Sequence, residues 1–115
     1  VSEVMELVGN VEGKNCIIFD DMVDTGGSVV NAAKALRDHK SNKDIYLAAT
    51  HPVFSKDASK KLAKAGFKEV VVSNSIPVPK EKQFKGLKVL SIAPLLAKII
   101  KNVYTAKSVS KVFTP

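Results

Sequence analysis

The sequence predicts an α/β domain, a mostly parallel sheet with helices on both faces. Three observations predict it. Short apolar runs rich in β-branched residues alternate with stretches whose apolar positions recur at helical spacing. Their order is strand, helix, strand, helix, strand, strand, helix. The chain of 115 residues, 45% hydrophobic and 25% charged, has the size and composition of one ordinary domain, so residues 1–115 are taken as a single unit with a real core.

The elements follow in order. Cys16-Ile17-Ile18-Phe19 is an apolar run that ends at two acids and reads as a buried parallel strand. Ser28 is placed to cap a helix with Val29, Val30, Ala33 and Leu36 on one face. Residues 44–50 form a second strand. Ser55 is the expected cap of a second helix, which runs through Ala58, Leu62 and Ala65 and stops at Gly66. Residues 69–73 form a third strand and 87–90 a fourth. Pro77, Pro79 and the lysines at 80, 82 and 85 mark the loop between them. Ser91 then caps a helix with Ile92, Leu95, Leu96, Ile99 and Ile100 inward, and Pro94 falls in its first turn, where a missing N–H costs little. The tail after Asn102 has weak periodicity.

Charge is distributed unevenly. The net of +7 lies wholly in the last third: residues 1–79 carry ten bases and ten acids, residues 80–115 eight lysines and Glu81. With a single arginine, Arg37, and no tryptophan, the chain lacks the forks and stacking rings that read bases, so no nucleic-acid partner is expected. The lysines at 80, 82, 85 and 88 read as a solvated face. No apolar run approaches the roughly 20 residues of a membrane span, and Glu3 and Glu6 sit where a signal peptide carries positive charge, so no membrane partner is expected. One cysteine, Cys16, precludes an internal disulfide and points to a reducing, cytoplasmic setting. Cys16 reads as a small core residue, and no second cysteine or suitably spaced histidine makes a zinc site. No residue of the chain is assigned as a metal ligand. His39 reads as solvated and His51 as a structural hydrogen-bonding residue at the end of the second strand.

The informative segment is Asp20-Asp21-Met22-Val23-Asp24-Thr25-Gly26-Gly27-Ser28. It leaves the carboxyl end of a strand and opens a helix, where open α/β sheets bind ligands. Gly26 and Gly27 let the backbone approach closely and turn N–H groups inward, Thr25 and Ser28 add hydroxyls, and the helix adds its positive end. The loop has no lysine, so it is not the nucleotide P-loop; it suits a phosphate monoester held by backbone amides. Carboxylates at Asp20 and Asp21 can accept bonds from sugar hydroxyls and stay close to a hydrated Mg²⁺, and Asp24 stands at the mouth of the cradle. The set implies a ligand with both a phosphate and a polyol.

Residues 17–28 resemble the phosphoribosyl-binding signature of the type I phosphoribosyltransferase fold. Four further segments, Ala49-Thr50-His51-Pro52-Val53-Phe54-Ser55, Val72-Ser73-Asn74-Ser75-Ile76-Pro77, Leu90-Ser91-Ile92-Ala93-Pro94-Leu95-Leu96 and Ser108-Val109-Ser110-Lys111-Val112-Phe113, resemble the ribose-phosphate pyrophosphokinase family in the family's own order. The resemblance implies transfer of the diphosphoryl group of ATP to the 1-hydroxyl of ribose 5-phosphate, with Mg²⁺ required. It implies that Asp20 and Asp21 meet the ribose hydroxyls and the metal's hydration shell. Asp24, as a catalytic residue, and Thr25, Gly26, Gly27 and Ser28 grip the 5-phosphate. Ser108, Ser110 and Phe113 would form part of a regulatory site for phosphate or ADP between subunits. The family's ATP-binding residues, its metal-binding histidine and a mobile loop with catalytic lysine and arginine lie upstream of the matched segment. The chain thus corresponds to the C-terminal half, a partner to the N-terminal half of the same enzyme, in a homo-oligomer of dimers that build hexamers. Ser28 stands where threonine is common, and Pro52 where glycine is common. Two alternatives are a phosphoribosyltransferase acting on a nucleobase and a non-catalytic regulatory subunit; the retained Thr25-Gly26-Gly27 favours a catalytic parent.

Overall fold

The computed structural model describes residues 6–114; Glu3, named above with Glu6, lies outside them. Strands β1 (Cys16–Val23), β2 (Ile45–Pro52), β3 (Phe67–Ser73) and β4 (Leu87–Leu90) pair side by side in the order β1-β2-β3-β4, all parallel. Helices α1 (Gly27–Asp38) and α2 (Ala58–Lys64) carry the first two crossovers, a 3₁₀ turn at Lys80–Lys82 lies in the third, and α3 (Ala93–Tyr104) follows β4. The α/β class and parallel sheet expected from the sequence are present.

Sequential order with crossovers of one hand places α1 and α2 on the same face of the sheet. Val29 of α1 and Ala58 and Leu62 of α2 pack there on Leu47, Ala49, Val70 and Val72, with Val23 and Phe54 closing the end toward the loops. Each of these side chains is buried; Leu47 and Ala58 expose nothing. Fully burying an aliphatic side chain of this kind stabilises the fold by about 1.5–3 kcal/mol, so this cluster holds the sheet and the two helices as one body.

Side chains alternate across a strand, so the next residues along point the other way. That face carries Ile17, Phe19, Ala48, Val71 and Leu90, and the start of α3 meets it: Ile92 and Leu95 line a concavity of about 430 Å³ together with Phe19, Ala48 and Val71. Two expectations are corrected here. The first strand is buried on one side only, for Ile17 is 57% and Phe19 78% exposed. It also runs beyond its apolar stretch, through the acids to Val23, because the parallel ladder to β2 continues to Val23 and Pro52. The apolar side chains of α3 are not inward. No residue of that helix is buried, and Leu96 and Ile100 are 47% and 67% exposed. Their helical spacing was legible; what the spacing cannot say is whether the surface they meet lies within these residues.

Candidate anion-binding site at the end of β1

β1 stops at Val23, whose side chain is buried in the core, and the chain leaves the sheet over Asp24-Thr25-Gly26. Gly26 has φ +89°, the left-handed conformation open to glycine, and a Cβ there would meet Leu62 Cδ2 at 3.7 Å and the Ala58 Cα at 3.9 Å. The turn is therefore seated on α2. Gly26 is also the N-cap residue of α1, and its carbonyl accepts the Val30 N–H at 3.1 Å. The N–H groups ahead of Val30 in this first turn have no carbonyl behind them in the helix, so they are available to an anion, and the helix adds roughly half a positive charge at the same point. Ser28 does not cap α1 as the sequence indicates. The left-handed glycine starts the helix two residues earlier, and Ser28 lies inside the first turn with its side chain exposed.

The two acids before the turn are fixed by their own backbone. Asp20 Oδ1 accepts the Asp21 N–H at 2.8 Å, and Asp21 Oδ1 accepts the Met22 N–H at 2.8 Å. Each carboxylate thus commits one oxygen to the backbone and leaves the other out of that bond. The structure brings together every residue the sequence singles out here: Asp20 through Ser28 line one cavity of about 320 Å³. A Cβ on Gly27 would meet no protein atom within 4 Å, so packing does not account for glycine at that position.

The loop after β2 braces the cradle. Phe54 N–H donates to the Val23 carbonyl at 3.0 Å, Ser55 N–H to the Asp24 carbonyl at 2.9 Å, and the Ser55 hydroxyl to Asp24 Oδ1. Ser55 is not the cap of α2; Asp57 holds that position, and its side chain makes no capping bond. The cross-loop role of Ser55 had no signature in the sequence beyond its place at the same sheet edge as the acids.

His51 pairs with Met22 across β1 and β2, and its Nδ1 lies 2.7 Å from Ser75 Oγ, a structural contact to the loop after β3. In the tail, Ser108 Oγ and Ser110 Oγ are 2.8 Å apart, Asn102 Nδ2 donates to the Ser108 carbonyl at 2.9 Å, and Phe113 is exposed. A larger concavity of about 580 Å³ between β1 and α1 is lined by Leu7, Val11, Cys16, Ile18, Ala32 and Leu36 among others. Its mostly aliphatic lining offers an anion no hydrogen-bond donor of the kind the smaller cradle has. Cys16, expected in the core, is half-buried at this margin. Among the described residues no group of three or more His, Cys, Asp or Glu side chains is placed to hold a metal ion, and no helix is long and apolar enough to cross a membrane.

Comparison with known proteins bears on the family and the fold. Residues 2–114 match the family described as the phosphoribosyl synthetase-associated domain. A ribose-phosphate pyrophosphokinase of Caldanaerobacter subterraneus subsp. tengcongensis is 46% identical over 114 residues, 99% of this chain and 36% of that protein. That of Bacillus subtilis is 45% identical over 114 residues, with the same coverage of 99% and 36%. The crystal structure of phosphoribosylpyrophosphate synthetase from Mycobacterium smegmatis superposes with a TM-score of 0.82 at 48% identity, covering 86% of this chain and 33% of that one. The chain therefore spans about a third of the length of the relatives it matches.

Proposed function

The chain belongs to the phosphoribosyl synthetase-associated domain family, and from that premise we propose that it forms the ribose 5-phosphate half-site of a ribose-phosphate pyrophosphokinase, as its C-terminal region. The observation that carries the reading is the single cavity lined by Asp20 through Ser28 at the N-terminus of α1. In this reading the amides and hydroxyls of Thr25 to Ser28 hold the 5-phosphate, and Asp24, the catalytic residue of the set, grips the substrate at the mouth. Asp20 and Asp21 accept bonds from the ribose hydroxyls through the oxygens that the backbone leaves open. Their carboxylates are hard oxygen donors suited to a Mg²⁺ that keeps most of its water, and they do not make a closed cage. When bound, that ion would neutralise the phosphates of the nucleotide.

The reaction joins the ribose 1-hydroxyl oxygen to the β-phosphorus of ATP. The bond from that phosphorus to the α,β-bridging oxygen breaks, AMP leaves, and the hydroxyl proton passes to solvent or base. What this chain contributes is placement of the acceptor, and in phosphoryl transfer placement and charge neutralisation supply most of the rate. ATP would be held by the N-terminal half of the enzyme, in a homo-oligomer of cytoplasmic setting. The pair Ser108 and Ser110, with Phe113, is read as one wall of a regulatory site for phosphate or ADP. Support for that is the resemblance and the 2.8 Å contact between the two hydroxyls.

The test is a titration with ribose 5-phosphate. The chain should bind it, and Asp24→Ala should abolish that binding, in this chain and in a full-length relative alike; unchanged affinity refutes the cradle. The purified chain should form no product from ATP and ribose 5-phosphate, and turnover by it alone would sink the half-site account.

A further inference from the structure

We propose that Ser55 is a positioning residue for the cradle: its hydroxyl holds the Asp24 carboxylate in one rotamer, ready for the ligand. The proposal rests on the reading of Asp24 given above.

The contact joins loops 31 residues apart in sequence, the Ser55 hydroxyl donating to Asp24 Oδ1. Two backbone bonds fix the donor in place, from Ser55 N–H to the Asp24 carbonyl at 2.9 Å and from Phe54 N–H to the Val23 carbonyl at 3.0 Å. Both neighbours of Ser55 are in the left-handed region without being glycine, Phe54 at φ +49° and Lys56 at φ +53°. Residues of this kind adopt that conformation only where the surroundings over-determine it, and such strain collects at ligand clamps. What over-determines it here is Phe54, 1% exposed, with its ring centroid 6.3 Å from that of Phe84. Anchored by a buried ring on one side and bonded to Val23 and Asp24 on the other, the loop has one polar side chain aimed across the gap.

The helix that follows does not require this. Asp57 is its N-cap, and the Ser55 contribution to it is a backbone carbonyl, 3.2 Å from the Ala58 nitrogen. The hydroxyl is therefore spent on Asp24, where it occupies Oδ1 and leaves Oδ2 as the acceptor for a substrate hydroxyl. An exposed aspartate at a loop mouth samples several rotamers; one already ordered loses less freedom on binding, an effect worth about tenfold in affinity for a single side chain.

The experiment uses the whole 115-residue chain. The Hα–Hβ couplings of Asp24, read by NMR in the free protein, should report one χ1 rotamer in the wild type and in Ser55→Thr, and averaging in Ser55→Ala. Ribose 5-phosphate affinity should fall about tenfold in Ser55→Ala and be restored by Ser55→Thr; Ser55→Cys, a weaker donor of similar size, should lie between. In the background of Asp24→Asn, Ser55→Ala should cost nothing more. Ser59→Ala, which removes a bond of 2.7 Å from Ser59 Oγ on α2 to the Lys82 carbonyl of the 3₁₀ turn, should lower the unfolding midpoint and leave affinity alone. Asp24 couplings unchanged by Ser55→Ala overturn the proposal, as does an equal loss of affinity in Ser59→Ala. A wild type that orders Asp24 through Ser55 yet binds no ribose 5-phosphate overturns the ligand reading while upholding the positioning role.

Discussion

The imidazole Nδ1 of His51 lies 2.7 Å from the hydroxyl oxygen of Ser75, and that hydroxyl in turn donates to the Thr50 carbonyl at 3.1 Å. A serine hydroxyl has one proton to give. With that proton given to Thr50, His51 donates from Nδ1–H in the short contact, and this is the tautomer the geometry predicts. Long-range ¹H–¹⁵N spectra should show the Nδ1–H tautomer. Ser75→Ala should shift the ring toward the other tautomer and cost about 1 kcal/mol of stability. An Nε2–H ring in the wild type would contradict this.

The adjacent glycines of the cradle should part company on substitution. Gly26→Ala forces a side chain into φ +89° against Leu62 and should destabilise the fold by about 1–2 kcal/mol. Gly27→Ala has open space around its Cβ and lies in a helical turn, where alanine is favoured by up to about 1 kcal/mol. It should fold at least as well as the wild type yet bind ribose 5-phosphate more weakly, because the added methyl crowds a backbone that the ligand approaches. Urea unfolding and calorimetric titration on the two variants check the contrast.

Leu62 touches the Gly26 turn and sits in the core at 1% exposure. Leu62→Ala should cost about 2–5 kcal/mol and loosen the cradle with it, read as a lower urea midpoint and faster amide exchange at residues 25–28.

Phe19 and Ile100, 78% and 67% exposed, should both behave unlike the buried Leu62. Phe19→Ser and Ile100→Ser should change stability by no more than about 0.5 kcal/mol while raising the concentration at which the chain stays monodisperse in sedimentation, since large exposed apolar patches drive association.

The elements and the cradle were legible because both depend on local chemistry. Alternating apolar runs, Gly66 ending α2 and the sequence from Asp20 to Ser28 each carry their own signal over a few residues. The misreadings share a cause. Ser28 and Ser55 sit just where capping serines sit, but a cap is decided by dihedral angles nearby. A left-handed Gly26 takes over the first role, and the strained Phe54–Lys56 segment turns Ser55 toward Asp24. The apolar stripe of α3 was read correctly as a stripe and wrongly as buried, because periodicity marks a face without naming what covers it.

The cradle from Asp20 to Ser28 holds three carboxylates and no base. Attraction for a phosphate therefore comes from amide and helix dipoles, which decay steeply with distance, while repulsion from the acids reaches farther. On the proposed reading, a sugar phosphate would meet opposing acids at the mouth and be held by these dipoles only once seated. The lysines of the last third, which give the chain its net +7, draw an anion from farther away than either, so capture should slow as salt screens that long-range attraction.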